Sequence, residues 1–415
     1  MHQIPRFEPR HYRAALLALA TMVASAGCGD PPVAPEETQV SSAPALQATA
    51  ALSFRQISTG MYHSCGVTFD NLAYCWGFDG DGQLGDGRTN AHSTSPVPVS
   101  GGLHFQMVSA GFDHTCGIST DDRVYCWGSN ARGQLGDGTR VFSSTPVPIA
   151  SSFRFGFVSA GYAYTCAVHL SSSAWCWGAN DYGQLGDGGK LEQHAPVAVK
   201  TTLTFKRVAA GGFSTCGVTT GSKAYCWGRN NQGQLGDGTK VTRLQPVPVA
   251  GGLSFRWVST GTAHISFVWQ SASCGVSGGG KAYCWGSNLH GQLGDGTLTT
   301  RTTPKAVAGG LSFAQVNSGG GHTCGVTSSG NLTYCWGWNG RGQLGDGTNT
   351  QRTRPVKVAG GHLFRAVPVG GGNGGHSCAV STTNRAYCWG FNVSGQVGDG
   401  STTDRKVPVA VVGPS

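Results

Sequence analysis

The sequence predicts an all-β fold: a seven-bladed β-propeller of four-stranded blades, with one disulfide in each blade. Three observations predict it. The tripeptide Cys-Trp-Gly, preceded by an aromatic residue, recurs seven times, with tryptophans at 76, 127, 177, 227, 285, 336 and 389. Repeats of about 40 to 50 residues built from short strands are the signature of propeller blades. Cysteine recurs in step with the tryptophans, two to a repeat. Finally, 67 of the 415 residues are glycine and only 12% are charged. That composition suits many tight turns and excludes helical bundles and coiled coils, which are rich in Ala, Glu, Lys and Leu.

One repeat, residues 105 to 149, shows why each blade should have four strands. Phe105-Gln106-Met107-Val108 alternates and reads as the first. Cys116-Gly117-Ile118 and Val124-Tyr125-Cys126-Trp127 read as a hairpin around Asp121-Asp122. A Gly-Gln-Leu-Gly-Asp-Gly turn follows at 133–138, where glycine adopts positive φ without steric cost. Pro146-Val147-Pro148-Ile149 then reads as an edge strand, the position where proline is tolerated.

The cysteines fall on the two strands of these hairpins, which pairs Cys65 with Cys75, Cys116 with Cys126, Cys166 with Cys176 and Cys216 with Cys226. The same spacing pairs Cys274 with Cys284 and Cys378 with Cys388, and one more residue separates Cys324 from Cys335. Opposed strand residues are close enough for a disulfide without distortion. Zinc sites favour cysteines two to four apart in sets of four ligands, which this spacing does not supply.

The N-terminus reads as an export signal over residues 1–28. Arg6, Arg10 and Arg13 precede an apolar run, Ala14 to Ala26, too short to span a membrane. Cys28 follows Ala24-Ser25-Ala26-Gly27, which resembles a bacterial lipobox with Ser25 where leucine is usual. Lipidation of Cys28 in the cell envelope and plain secretion are both open readings. Residues 29–52, rich in Pro, Ala and Ser, read as a tether, and 53–415 as the propeller.

The pattern Trp-Gly-x-Asn-x-x-Gly-Gln-Leu-Gly-Asp-Gly resembles the regulator of chromosome condensation repeat family over residues 53 to 415. The resemblance implies a propeller that binds proteins. Its eukaryotic founder is a nucleotide-exchange factor, but exported bacterial members are closer in style, one of them an inhibitor of class A β-lactamases. Scattered basic residues and an export signal argue against nucleic acid. The expected function is non-catalytic recognition of an extracytoplasmic protein by a monomer that uses no cofactor. Enzyme inhibition, glycan binding and, by family analogy alone, nucleotide exchange are the alternatives.

Positions shared by every repeat are expected to serve the fold. The tryptophans should pack between blades, and the turn aspartates (Asp86, Asp137, Asp187, Asp237, Asp295, Asp346, Asp399) should cap their turns. His63, His114, His264, His322 and His376 precede the first cysteine, with Tyr164 and Ser214 at the same place in repeats three and four. They are expected to hydrogen-bond a neighbouring loop rather than hold a metal. Asp79 and Asp81 read as a turn rather than a calcium site, because no glutamate closes the loop.

Partner-binding residues are sought where the repeats differ. Repeat five carries an insertion of about eight residues containing Phe267 and Trp269. It reads either as a binding loop or as a loop folded back over the channel. A second variable set flanks the conserved turn: Phe78, Arg132, Tyr182, Arg229, His290, Trp338, Arg341 and Phe391. In equivalent blades these would project from one rim, as contacts for a protein or a sugar or as ordinary surface variation.

Overall fold

A computed structural model describes residues 52–265, 268–370 and 375–414. Cys28, nearly all of the tether and Phe267 lie outside them, as does the side chain of His264. The described chain folds into seven four-stranded antiparallel sheets, at residues 54–98, 105–148, 155–198, 205–248, 255–306, 313–357 and 364–410. Strand order follows chain order in every sheet. The first strand of each blade lines a central channel.

The predicted strands of blade 2 are all present, each longer than the alternation alone indicated. They run Phe105–Ala110, His114–Ser119, Val124–Gly128 and Ser143–Pro148. The inner strands repeat one burial pattern. The first residue is a buried Phe in all seven, and the fourth is a buried Ile or Val in six. These side chains enter the space between blades. The fifth faces the channel in every blade, and the third does so in blades 3, 4 and 5.

Cysteines in the second and third strands sit directly opposite each other, as Cys116↔Cys126 does. All seven expected pairs form disulfides. Cys65 bonds to Cys75, Cys116 to Cys126, Cys166 to Cys176 and Cys216 to Cys226. Cys274 bonds to Cys284, Cys324 to Cys335 and Cys378 to Cys388. The paired Cα atoms are 4.0–4.1 Å apart. The extra residue between Cys324 and Cys335 is absorbed in the turn, where Asn331 takes a φ of +50°, so the two still face each other.

The seven Cys-Trp-Gly tryptophans are completely buried. Each lies against the conserved turn of the preceding blade: the Trp127 indole N–H donates to the Gln83 carbonyl at 3.0 Å, and that of Trp177 to Gln134 at 3.0 Å. A Cβ on Gly136 would come within 2.5 Å of the Trp177 indole nitrogen, and this residue also has a φ of +72°. Glycine is therefore required there twice over. The hydrophobic clusters accordingly straddle blade junctions. One joins Cys65, Val67 and Leu84 of blade 1 to Phe105, Val108 and Trp127 of blade 2.

Blades 1 and 7 each supply their own four strands, so no exchanged strand closes the ring. The seam uses the same contacts as every other junction. Trp76 donates to the Gln396 carbonyl at 3.0 Å, and the Phe54 amide donates to Asn384 at 2.9 Å.

Candidate recognition face

The turns between first and second strands all emerge at one mouth of the channel. A glycine follows the inner strand at 60, 111, 161, 211, 319 and 370, and the equivalent Gly261 lies within the longer first strand of blade 5. At six of the seven junctions these glycines meet the next blade backbone to backbone, and at the seventh Gly211 meets the Thr260 side chain. A Cβ on Gly60 would lie 2.4 Å from the Gly111 carbonyl oxygen, and one on Gly111 would lie 2.6 Å from that of Gly161. The amides of Met61, Phe112 and Tyr162 donate across the junctions to Gly111, Gly161 and Gly211, at 3.2, 3.0 and 3.0 Å.

Beneath the mouth, the recurring histidines bond to the second strand of the next blade rather than to the expected neighbouring loop. The Nε2 atoms of His63, His114, His322 and His376 lie 2.7–2.9 Å from the hydroxyls of Thr115, Thr165, Ser377 and Ser64. Each hydroxyl already donates its own proton to a carbonyl, that of Gln83, Gln134, Gln343 or Gln396. The imidazole must therefore donate from Nε2, which fixes the tautomer. Burial holds all four rings neutral, with pKa values lowered to about 3. Tyr164 does the same work in blade 3, its hydroxyl 2.7 Å from the Ser214 carbonyl and 3.0 Å from the Thr215 hydroxyl. No group of three His, Cys, Asp or Glu side chains is placed to hold a metal among the described residues.

The residues after the glycines build an arc of aromatic rings. Ring centroids run Phe391 to Tyr62 at 6.2 Å, Tyr62 to Phe112 at 6.4 Å, Phe112 to Tyr162 at 4.2 Å and Tyr162 to Phe213 at 5.3 Å. Phe213 continues to Tyr182 at 5.4 Å, and Phe78 joins Tyr62 at 6.4 Å. Arg229 lies over the rings of Tyr182 and Phe213, at 5.1 and 5.4 Å, and Arg341 over Phe391 at 5.2 Å. The variable rim and the channel mouth are thus one face.

The insertion in blade 5 is not a loop. It lengthens the first two strands, to Phe255–Ile265 and Val268–Ser277, paired in register from Thr260↔Ser273 to Ile265↔Val268. Trp269 leans from this hairpin onto blades 3 and 4, edge-on to Tyr162 at 5.3 Å and to Phe213 at 5.2 Å. Gln232 pins it by donating to the Trp269 carbonyl at 2.8 Å. Trp269 therefore belongs to the arc.

The other rim residues bind their neighbours. Arg132 donates from Nη2 to both Asp181 oxygens at 2.9 Å and from Nε to Glu192 at 2.7 Å. Arg341 reaches Asp404 at 3.4 Å, and His290 lies 3.1 Å from Gln351 and beside Trp338. Asp81 occupies the same rim position in blade 1 but faces another acid, Asp113 of blade 2. Burial, and then the charge of Asp81, push the Asp113 carboxyl up to about 8. Burial also raises Asp81.

Sequence reasoning missed Tyr62, Phe112, Asp113, Tyr162 and Phe213. A signal was present. These residues fill the short gap between the invariant glycine and the histidine position, where the repeats share no residue type.

The family model described as regulator of chromosome condensation (RCC1) repeat matches residues 70–118, 172–218, 222–268, 279–326, 331–380 and 384–415. The ultraviolet-B receptor UVR8 of Arabidopsis thaliana is 34% identical over 373 residues. That alignment covers 88% of this chain but only 59% of the receptor. Human WBSCR16 superposes with a TM-score of 0.72 at 20% identity, covering 82% of this chain and 94% of the other. Prp20p of Saccharomyces cerevisiae gives 0.69 at 22% identity, covering 85% and 87%. At such identities the two structures speak to the fold alone.

Proposed function

The chain belongs to the regulator of chromosome condensation repeat family, and from that premise we propose that it is an exported, non-catalytic scaffold that binds a protein partner through the channel-mouth face. The observation that carries this reading is the continuous aromatic arc, capped by Arg229 and Arg341. Half-buried Tyr, Trp, Phe and Arg held rigid by one another are the residue types that dominate protein interfaces, because they lose little side-chain entropy on docking. Prp20p, which shares the fold, has been studied for binding to Gsp1p and histones. Such relatives support the general role, and the partner here is its own question.

Export is supported by the seven disulfides, which persist in oxidising compartments. Cys28 is proposed as the lipidated residue, readable from the mass of the mature N-terminus. The binding test uses the oxidised protein as bait in envelope and secreted extracts. The Tyr62→Ala/Phe112→Ala double variant should lose a specific protein that the parent captures. Equal capture by both baits would move the site off this face.

A further inference from the structure

The channel has a second, unrelated feature below the glycine ring. The third residues of the seven inner strands are Gln56, Met107, Phe157, Arg207, Trp257, Gln315 and Ala366, and of these Phe157, Arg207 and Trp257 line its wall. The fifth residues form the next layer: Ser58, Ser109, Ser159, Ala209, Ser259, Asn317 and Pro368. Residues from both layers line a cavity of about 180 Å3 that opens to solvent. Arg207 is the sole charged residue in the two layers.

Its surroundings are unusual for an arginine. The guanidinium lies over the Trp257 ring at 4.5 Å and the Phe157 ring at 5.4 Å. It has no carboxylate partner and donates no hydrogen bond to the described residues. Burial alone lowers its pKa, with no neighbouring charge contributing. A second donor stands idle beside it: the Trp257 indole N–H is buried and has no acceptor. The Trp257 N–H is buried without an acceptor, and the half-buried Arg207 guanidinium on the adjacent blade of the same cavity has none among the described residues, so the oxygens of one ligand would serve both.

We propose that the channel binds a small carboxylate-bearing molecule at Arg207 and Trp257, a site separate from the protein-binding face. Stacking on aromatic rings leaves the N–H donors, which lie in the guanidinium plane, free at its edge. That fork matches the two oxygens of a carboxylate. The hydroxyl of Ser159, one layer away, accepts from the Ala210 amide at 3.0 Å, which leaves its own proton for the same ligand. Aromatic walls from Phe157 and Trp257 favour an organic acid over a bare inorganic ion, since they offer apolar contact to its carbon skeleton.

The test titrates the oxidised full chain with benzoate, succinate and inorganic phosphate, read by calorimetry and by thermal shift. Benzoate or succinate should bind saturably and raise the melting temperature, with phosphate weaker. Arg207→Met should abolish the response, and Arg207→Lys should weaken it about tenfold or more by losing the fork while keeping the charge. Trp257→Phe keeps the ring and removes the N–H, and should weaken binding severalfold. Each variant's unliganded melting temperature shows whether it remains folded. Absence of saturable binding by the parent, phosphate binding as tightly as both organic acids, or equal binding by a folded Arg207→Met protein would overturn the proposal. None of these outcomes bears on capture of a protein at the mouth.

Discussion

Replacing Asp79 with asparagine should stabilise the protein at pH 7.5 and change little at pH 4. Six blades carry an asparagine two residues after the Trp-Gly pair. Its Oδ1 accepts from a turn amide, as Asn130 does from Leu135 at 3.0 Å, and its Nδ2 donates to the turn aspartate, as Asn130 does to Asp137 at 3.1 Å. Blade 1 has Asp79 there. It keeps the acceptor half, taking the Leu84 amide at 3.0 Å and the Asn90 amide at 3.3 Å. It has nothing to donate while ionised, and it meets the charge of Asp86 instead. Burial is the main cause that raises its pKa, to about 6 from an ordinary 3.8, with Asp86 and Asp81 adding to it.

The sign follows from linkage. The folded state holds this proton up to about pH 6, whereas the unfolded chain releases it near 3.8. Below 3.8 both states are protonated and nothing is lost. As pH rises to 6 a penalty builds, and above 6 it is complete. Two units correspond to about 3 kcal/mol, which solvent screening around the partly exposed Asp86 reduces to roughly 1–2 kcal/mol. Asparagine escapes this penalty and restores a donor to Asp86. For a ring of this size, that is a rise in melting temperature of about 1–3 °C. Differential scanning calorimetry of Asp79→Asn and the parent, both oxidised, at pH 7.5 and pH 4 measures it. An unchanged melting temperature at pH 7.5, or an equal gain at both pH values, would refute the reasoning.

Two further perturbations probe the ring itself. Four histidines held neutral to about pH 3 resist protons that the unfolded chain takes up below 6.5, so stability is lost as pH falls through that window. Asp79, Asp81 and Asp113, whose pKa values are raised, act in the opposite sense, whereas the lowered Asp237, Asp295, Asp346 and Asp399 add to the loss, so stability falls from pH 6 to 4 by on the order of 2 kcal/mol per pH unit. Urea unfolding at pH 6, 5 and 4 gives the slope, which His114→Gln should reduce by about one proton, and stability that is flat or rises in acid would count against the buried neutral rings. Gly111→Ala should cost about 2 kcal/mol or more, because its Cβ must displace the Gly161 carbonyl, while Gly278→Ala, with nothing within 4 Å, should stay within about 0.5 kcal/mol.

The legible and illegible parts of this protein divide along its symmetry. Cys-Trp-Gly, the Gly-Asp-Gly turn and the paired cysteines were readable because each repeats an identical physical task at every junction. The capping aspartates behave as read: Asp237, Asp295, Asp346 and Asp399 each accept from the backbone amide two residues on. The blade-5 insertion was harder. Its length marked it, but the continued pairing from Thr260 to Ile265 depends on a partner strand that a count of residues does not reveal.

The arc was harder still, because its rings come from non-equivalent positions. Tyr62 and Phe213 precede the histidine position, Phe112 and Tyr162 stand one place earlier, and Tyr182, Phe391 and Trp269 come from other segments. Only the closed ring brings them within 4.2–6.4 Å of one another. Arg207 was overlooked for the opposite reason, since it occupies an ordinary repeat position and is unusual only in what six other blades place opposite it. A scaffold whose junctions are all alike has no need of asymmetry for its own stability. Residues that break the pattern while holding an unmet charge or donor, as Asp113, Arg207 and Trp257 do, are therefore where a ligand's contribution should be sought.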